Sequence, residues 1–454
     1  MSVIRPMGGV QPGIKWGRFT MRIPGIHVKL SWPEVLQGGL LTVATGAAAA
    51  PLFMRAFGLP FELAWALSVI PLFWYYISAW LFGEPFAPGW ITPSIPLTLV
   101  FLGGYEAGVP AIQAMTALTL IVSAMFLIFG VTGLGGKFFK WIPVELRAGI
   151  ILASAIAAFN GEFARHGTMP ITLSFVWGIV FLLMFSVWVA KGKETNKMVR
   201  TAASMAMLIG FLAAAVVGPL AGELKIVVEG GLLIPQFGPA LRAVSPFFIG
   251  WPSWEMFIAA FPLAVMVYVI VFGDLVVANT LLQDADRVRE DEKIEIDPTR
   301  THYALFFRNM GQLLTGGPLI PMHGPIWTGV TVFLVERYKQ GRDQMDSIYT
   351  GILNWYWLSF ILVFLNPVVT FMRPLLPAAL SITLILTGFA CAYIAMRMVT
   401  TPTSQGYALF IALVIVKFGP AWGFAVGLGL FFLLLVQRRP MVPIPYDMDV
   451  NKQA

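Results

Sequence analysis

The chain has 454 residues, of which 58% are hydrophobic and 12% charged, with a mean hydropathy of +0.78. Soluble domains run nearer about 45–50% apolar and about 25% charged, so this balance excludes a soluble globular protein and gives a polytopic membrane protein. The net charge of +7 reads as basic loops gathered on one membrane face rather than as a nucleic-acid surface.

Residues 1–32 are polar and basic, with Arg5, Lys15, Arg18, Arg22 and Lys29 uncompensated by acid, which marks a cytoplasmic N-terminal segment. They do not read as a cleavable signal peptide, so the first span is expected to direct insertion. Judged against about 20 apolar residues per crossing, spans are expected at 33–55, 62–82, 91–103, 109–131, 139–160, 171–190 and 201–221. An extracytoplasmic link at 222–254 follows, with short strands expected at 224–228 and 231–235. The second set is expected at 255–282, 302–316, 325–338, 346–366, 377–398, 404–418 and 420–436, and 437–454 forms a cytoplasmic tail.

Loop charges test this count. Loops on the N-terminal side carry Lys137, Lys140, Lys191, Lys193, Lys197, Arg200, Arg287, Arg289, Lys293, Arg300, Arg337, Lys339, Arg342, Arg397, Arg438 and Arg439. The opposite loops carry chiefly Arg55, Arg165, Lys225, Arg242 and Arg373. A one-span error would invert the bias beyond it, so the pattern predicts an all-α protein of fourteen segments with both termini cytoplasmic, expected in a bacterial inner membrane.

Seven segments per half is odd, so a duplicated unit enters the membrane in opposite orientations. Pro252-Ser253-Trp254-Glu255 opens the eighth segment much as Ser31-Trp32-Pro33-Glu34 opens the first. Segments three and ten are both too short to cross as helices, and both follow Pro-broken sequence. Pro93-Ser94-Ile95-Pro96 in the one answers Pro321-Met322-His323-Gly324-Pro325 in the other. Between 316 and 328 alone stand three prolines and three glycines, which cannot continue a helix. Non-helical backbone at membrane depth persists only where protein buries it or it lines a cavity, and paired interruptions of this kind mark a transporter's binding site.

Few residues near these breaks can carry chemistry. Asp274, deep in the eighth segment, costs about 2.5–3.5 kcal/mol to insert and is retained for an ion, a proton or a substrate, or for pairing with a base such as Arg308. Arg308 either snorkels to the surface, neutralises Asp274 or attracts an anion. His323 can take a proton, contact a ligand or cap loose backbone. Gln37, Thr92, Ser94 and Thr328 are neutral donors and acceptors suited to a polar solute, with Ile95 and Gly324 beside them, and Trp90 and Trp327 flank the breaks.

Other chemistries lack their residues. The four histidines, His27, His166, His302 and His323, do not form the intramembrane pairs that haem needs. The lone Cys391 excludes an intrachain disulfide or thiolate metal site, and no cofactor is expected. Without a P-loop or Rossmann fingerprint, transport would be driven by an ion gradient. An enzyme is not expected, since no nucleophile–base pair or carboxylate pair shares a register.

These stretches resemble the nucleobase–cation symporters, the uracil, xanthine and adenine permeases, which share a fold with sulfate-permease and bicarbonate-type anion carriers. Gly273-Asp274-Leu275-Val276-Val277-Ala278-Asn279 is similar to the family's eighth-span motif. Leu36-Gln37 resembles the start of its first-span Leu-Gln-His, and 317–329 resembles its Gly-rich tenth-span break. Gly38, Ile270 and Pro325 stand where that family has a His and two Glu residues that bind base edges and couple protons.

The resemblance implies a seven-plus-seven inverted repeat, 33–221 and 255–436. It also implies a core domain from 33–131 and 255–366 and a gate domain from 139–221 and 377–436, with dimers as an assembly. The expected function is an H+- or Na+-coupled symporter of a small polar solute, nucleobase-like or a small organic anion, with Asp274 and His323 as ion-coupling groups and lipid as its surroundings. The alternative is an uncoupled anion facilitator or exchanger of sulfate-permease type.

Overall fold

The computed structural model describes residues 5–204 and 206–434; the tail expected at 437–454, with Arg438 and Arg439, lies outside them. The N-terminal segment folds into an antiparallel hairpin, β1 (Ile14–Trp16) and β2 (Phe19–Met21), with Trp16 opposite Phe19. The first rod is α1 (Trp32–Gly46), continued by a 3-10 turn into α2 (Ala50–Ala56), and α3 (Phe61–Leu81) runs back. The chain then opens into β3 (Gly89–Trp90) before a 3-10 turn (Thr92–Ser94) and the short α4 (Ile95–Leu102). Completing the first half are α5 (Val109–Thr132), α6 (Gly135–Trp141), α7 (Val144–His166), α8 (Pro170–Phe185), α9 (Val187–Thr195), α10 (Lys197–Ser204) and α11 (Ala206–Leu220).

The link holds α12 (Phe237–Val244) and α13 (Pro246–Ile249). The second half begins with the long α14 (Trp254–Val288) and α15 (Pro298–Gly316), then opens into β4 (His323–Gly324) before α16 (Thr328–Lys339). It ends with α17 (Ile348–Trp355), α18 (Ser359–Leu362), α19 (Asn366–Met372), α20 (Leu376–Met398), α21 (Pro402–Phe418) and α22 (Pro420–Leu434). Among the described residues, six helical stretches are long and apolar enough to cross a membrane, and both short segments, α4 and α16, directly follow an extended break.

Three sequence expectations are corrected. The fifth rod begins at Val144 rather than 139 because Pro143 caps it, and Lys137 and Lys140 belong to the separate α6. The sixth ends near Phe185, where the Ser186 hydroxyl accepts from Trp188 N and Val189 N and so starts α9. In the link, neither 224–228 nor 231–235 forms a strand. A strand needs a partner edge, and only 231–233 finds one, through a single bridge between Leu232 and Leu365.

Packing is densest within two groups, which meet through α4 on α7 and α22 on α14. One sets α5 against α14 and α15, α3 against α15, α16 against α14, and α1 against α17 and α18. The other sets α7 against α20 and α21, and α8 against α11. The approach of α1 is tight: a Cβ on Gly38 would lie 2.2 Å from Trp355 O, so no histidine fits there.

At the end that carries the N-terminal segment, the buried Arg5 donates from Nη2 to Asp291 at 2.7 Å and to Asp346 O at 2.9 Å. Arg289 grips the other face of Asp291, with Nε to Oδ1 at 2.6 Å and Nη2 to Oδ2 at 2.7 Å. Hydrogen bonding from Arg289, reinforced by Arg5, holds the Asp291 carboxyl down at about 2. The segment is thereby tied to the loops after α14 and α16.

Candidate functional site at two paired breaks

The two breaks bond to each other. Gly89 pairs with Gly324 and Trp90 with His323, antiparallel. The ladder is lengthened by Ile91 N donating to Met322 O at 2.9 Å and Trp327 N donating to Ala87 O at 2.8 Å. Only glycine allows this approach, since a Cβ on Gly89 would lie 2.8 Å from Trp327 Cα and one on Gly324 would lie 2.8 Å from Trp90 C. Open backbone at this depth is thus satisfied internally.

Side chains from α15 hold the ladder from behind. Arg308 Nη1 donates to Gly324 O at 2.8 Å, and Nη2 donates to Gly89 O at 3.1 Å and contacts His323 Nδ1 at 3.2 Å. Arginine only donates, so Nδ1 accepts and the neutral imidazole carries its proton on Nε2, which has no partner. Asn309 closes a ring on the same peptide: its Oδ1 accepts from His323 N at 3.0 Å and its Nδ2 donates to His323 O at 3.0 Å. From α17's end, Tyr356 OH donates to Pro88 O at 2.7 Å.

Arg308 therefore neither snorkels nor pairs with Asp274. It is 2% exposed and forms no salt bridge among the described residues. The nearby acid Glu84 is taken by Arg300, whose Nε lies 3.0 Å from its Oε1. One guanidinium charge is left directly behind the breaks.

In front of the breaks lies a cavity of about 50 Å³ lined by Thr42, Thr45, Gly46, Leu72, Tyr75, Gly89, Trp90, Thr92, Met207, Trp327 and Thr383. No lining residue is charged. Among the described residues, Thr42 Oγ1, Tyr75 OH and Trp90 Nε1 are buried without hydrogen-bond partners. The Tyr75 ring separates the cavity from Arg308, whose guanidinium carbon is 5.2 Å from the ring centroid, and meets His323 edge-on at 5.1 Å. A water needs about 10–15 Å³ by this measure, so the cavity accepts roughly four waters or a solute of about as many heavy atoms. The N-termini of α4 and α16 add positive dipole ends.

The residues singled out from sequence divide. Thr92 lines the cavity, as do Trp90 and Trp327. Ser94 turns its hydroxyl to Ile91 O at 2.8 Å, and Ile95 is buried in the first turn of α4. Gly324 and His323 sit in the ladder, fully buried, one layer behind the cavity. Gln37 lies on α1 five residues before Thr42 and outside the lining. Thr328 is exposed at the start of α16.

Asp274 lies outside the lining too, near the Cys391 thiol of α20. Lys339 at the end of α16 contacts Asp284 of α14, and Arg289 donates to Tyr338 O at 3.0 Å, so the two helices finish together. Ten residues back along α14, about 15 Å, puts Asp274 level with the start of α16. It shares the membrane level of the breaks and not their cavity.

Sequence reasoning missed Thr42, Thr45 and Tyr75. The signal for the first two was two hydroxyls at i and i+3 followed by Gly46 in an otherwise apolar stretch; Tyr75 carried none.

No family model matches the sequence, and no curated protein matches it. Solved structures do. The transmembrane domain of a cyanobacterial bicarbonate transporter, BicA, superposes with a TM-score of 0.51 at 14% identity, over 87% of this chain and 99% of that one. SLC26A9 superposes with a TM-score of 0.53 at 12% identity, over 88% of this chain and 64% of that one. At these identities the likeness is one of fold, and the chain has the seven-plus-seven inverted-repeat fold of an integral membrane protein.

Proposed function

We propose that the chain is a secondary transporter of a small anion working by alternating access. The observation that carries this is Arg308, a buried guanidinium in no salt bridge among the described residues, set behind a cavity whose orphaned groups there include a donor-only indole N–H. A site with surplus positive charge and unpaired donors is complementary to a solute that is anionic and accepts hydrogen bonds. Size points the same way. A bicarbonate-like oxyanion or a halide suits so small a cavity. The bicarbonate transporter among the solved neighbours supports this side of the reading.

In this mechanism the anion enters in front of the paired breaks and is held by Thr42, Tyr75, Trp90 and the dipole ends of α4 and α16. The core formed by 33–131 and 255–366 then moves against the gate formed by 139–221 and 377–436. Asp274, at the level of the breaks, binds the coupling H+ or Na+. Both termini face the cytoplasm, by the loop-charge bias.

Uptake of labelled bicarbonate, chloride, nitrate and uracil into proteoliposomes tests the reading. Saturable uptake of an anion that excess uracil does not inhibit is expected, and uptake of uracil alone would refute it. A second reading, an uncoupled facilitator, is favoured by Arg308 already supplying the counter-charge. Anion flux that ignores imposed pH and Na+ gradients would establish that one instead.

A further inference from the structure

A second cavity, of about 590 Å³, opens at the end of the bundle that carries the N-terminal segment and shares no lining residue with the site at the breaks. The hairpin forms one wall with Lys15 and Arg18; the end of α14 and the loop after it form the other, with Asp286, Lys293, Glu295 and Asp297. Three bases and three acids thus line the cavity, with Lys293 on the acids' own wall and paired with Asp286. Arg18 and Lys293 are largely exposed, and the Arg18–Asp297 contact is loose at 3.6 Å. The Arg18 pair is exposed and worth about 0–1 kcal/mol, so a ligand can take over Arg18 at little cost. Asp286, 15% exposed, and Asp297 also accept from backbone N–H groups of Ile294, Thr299 and Arg300. The fourth base, Arg300, is buried and already committed to Glu84.

The cavity lies where the bilayer ends. With 21 residues, α3 covers about 30 Å, the thickness of the hydrocarbon, and its last residue is Leu81. Trp16 of the hairpin donates its Nε1–H to Leu81 O at 2.9 Å. Beneath it Phe19 packs on Phe82, with ring centroids 4.8 Å apart, and on Phe307, at 6.1 Å. On the outer side Ile14, Trp16 and Phe307 are 49%, 42% and 43% exposed. An exposed Trp beside basic side chains at a helix end is an interfacial anchor.

We propose that this cavity binds the headgroup of a zwitterionic phospholipid of the phosphoethanolamine class, its acyl chains lying along Ile14, Trp16 and Phe307. The phosphate is taken by Lys15 and Arg18 on the hairpin nearest the bilayer, and the primary ammonium by Glu295. A lone anion would meet three carboxylates and a lone cation three bases. A headgroup with both charges matches the wall, and the volume is within the range of small-molecule sites.

The test measures the unfolding midpoint of the purified full-length protein in detergent, with phosphatidylethanolamine, phosphatidylcholine or phosphatidylglycerol of identical acyl chains, or with soluble glycerophosphoethanolamine. Phosphatidylethanolamine should raise the midpoint saturably, by about 2 °C. Phosphatidylcholine, whose quaternary ammonium has no N–H to donate, should raise it less. The exposed double variant Lys15→Glu/Arg18→Glu should keep the lipid-free midpoint and lose the shift. Glu295→Gln should reduce the phosphatidylethanolamine shift to that of phosphatidylcholine. An equal or larger shift with phosphatidylglycerol, or a shift that survives both variants, overturns the proposal. A full shift with glycerophosphoethanolamine alone overturns the lipid assignment in favour of a soluble ligand.

Discussion

Replacing Arg308 separates its two roles, clamp and charge. Its guanidinium serves Gly324 O, Gly89 O and His323 Nδ1, all buried. In Arg308→Met each loses a charged donor, while Gly89 and Gly324 keep their pairing in the ladder, at about 1–3 kcal/mol each and roughly 3–9 kcal/mol together as an upper bound. Against this stands the desolvation cost of the buried cation, several kcal/mol, which the substitution removes. The two terms largely offset, and the expected net loss is on the order of a few kcal/mol. Arg308→Lys keeps the charge, but a single ammonium cannot reach three acceptors spread over both breaks, so its stability loss should be similar. The two variants should part in transport. Lysine should retain anion uptake with weakened affinity, whereas methionine should lose it even at temperatures where the protein is folded. Thermal unfolding in detergent and anion flux into proteoliposomes read the two quantities separately. A methionine variant with unaltered midpoint and unaltered anion flux would refute both the clamp and the charge argument.

Tyr75→Phe removes one hydroxyl that has no protein partner, so the unfolding midpoint should hold while anion KM rises about tenfold, the worth of one hydrogen bond to a charged group; an unchanged KM would remove Tyr75 from the site. Asp274→Asn should abolish accumulation against a gradient while leaving downhill exchange, and retained accumulation would end its coupling role. Asp291, held at about 2 by Arg289 and Arg5 against an unfolded value near 3.9, contributes stability that is complete above about pH 5 and is lost as pH falls toward 2. The wild type should consequently lose more stability than Asp291→Asn on acidification from pH 5 to 3. Parallel curves would refute the assignment. Gly324→Ala should destabilise strongly, because its Cβ would meet Trp90 backbone at 2.8 Å; an alanine variant as stable as wild type would show that the breaks are not in contact.

The interruptions were legible because Pro and Gly act locally: the same atoms that break a helix at 316–328 and 93–96 do so in any context. The seven-plus-seven count was legible from apolar length and loop charge, which need no tertiary knowledge. What the breaks bond to was not legible. Arg308 has as many apolar neighbours in sequence as a snorkelling arginine, and only the return of the chain at 323–324 gives it carbonyls to hold. Thr42 and Tyr75 are ordinary helix residues whose facing is decided by the partners that pack on α1 and α3. The segment 224–228 had strand composition without an edge to join. Gln37 was chosen because it is polar, and depth along α1 decided otherwise for the cavity lining.

The ladder between Gly89 and Gly324 also has a consequence for biosynthesis. Its two edges are separated by about 235 residues, so the first emerges long before its complement exists. At roughly 5–20 residues per second the delay is on the order of tens of seconds. Throughout that interval residues 87–91 must keep their peptide groups wet or shielded, since bare lipid offers them nothing. The first half of the chain is thus inserted as an unfinished object, and its maturation waits on translation of the second.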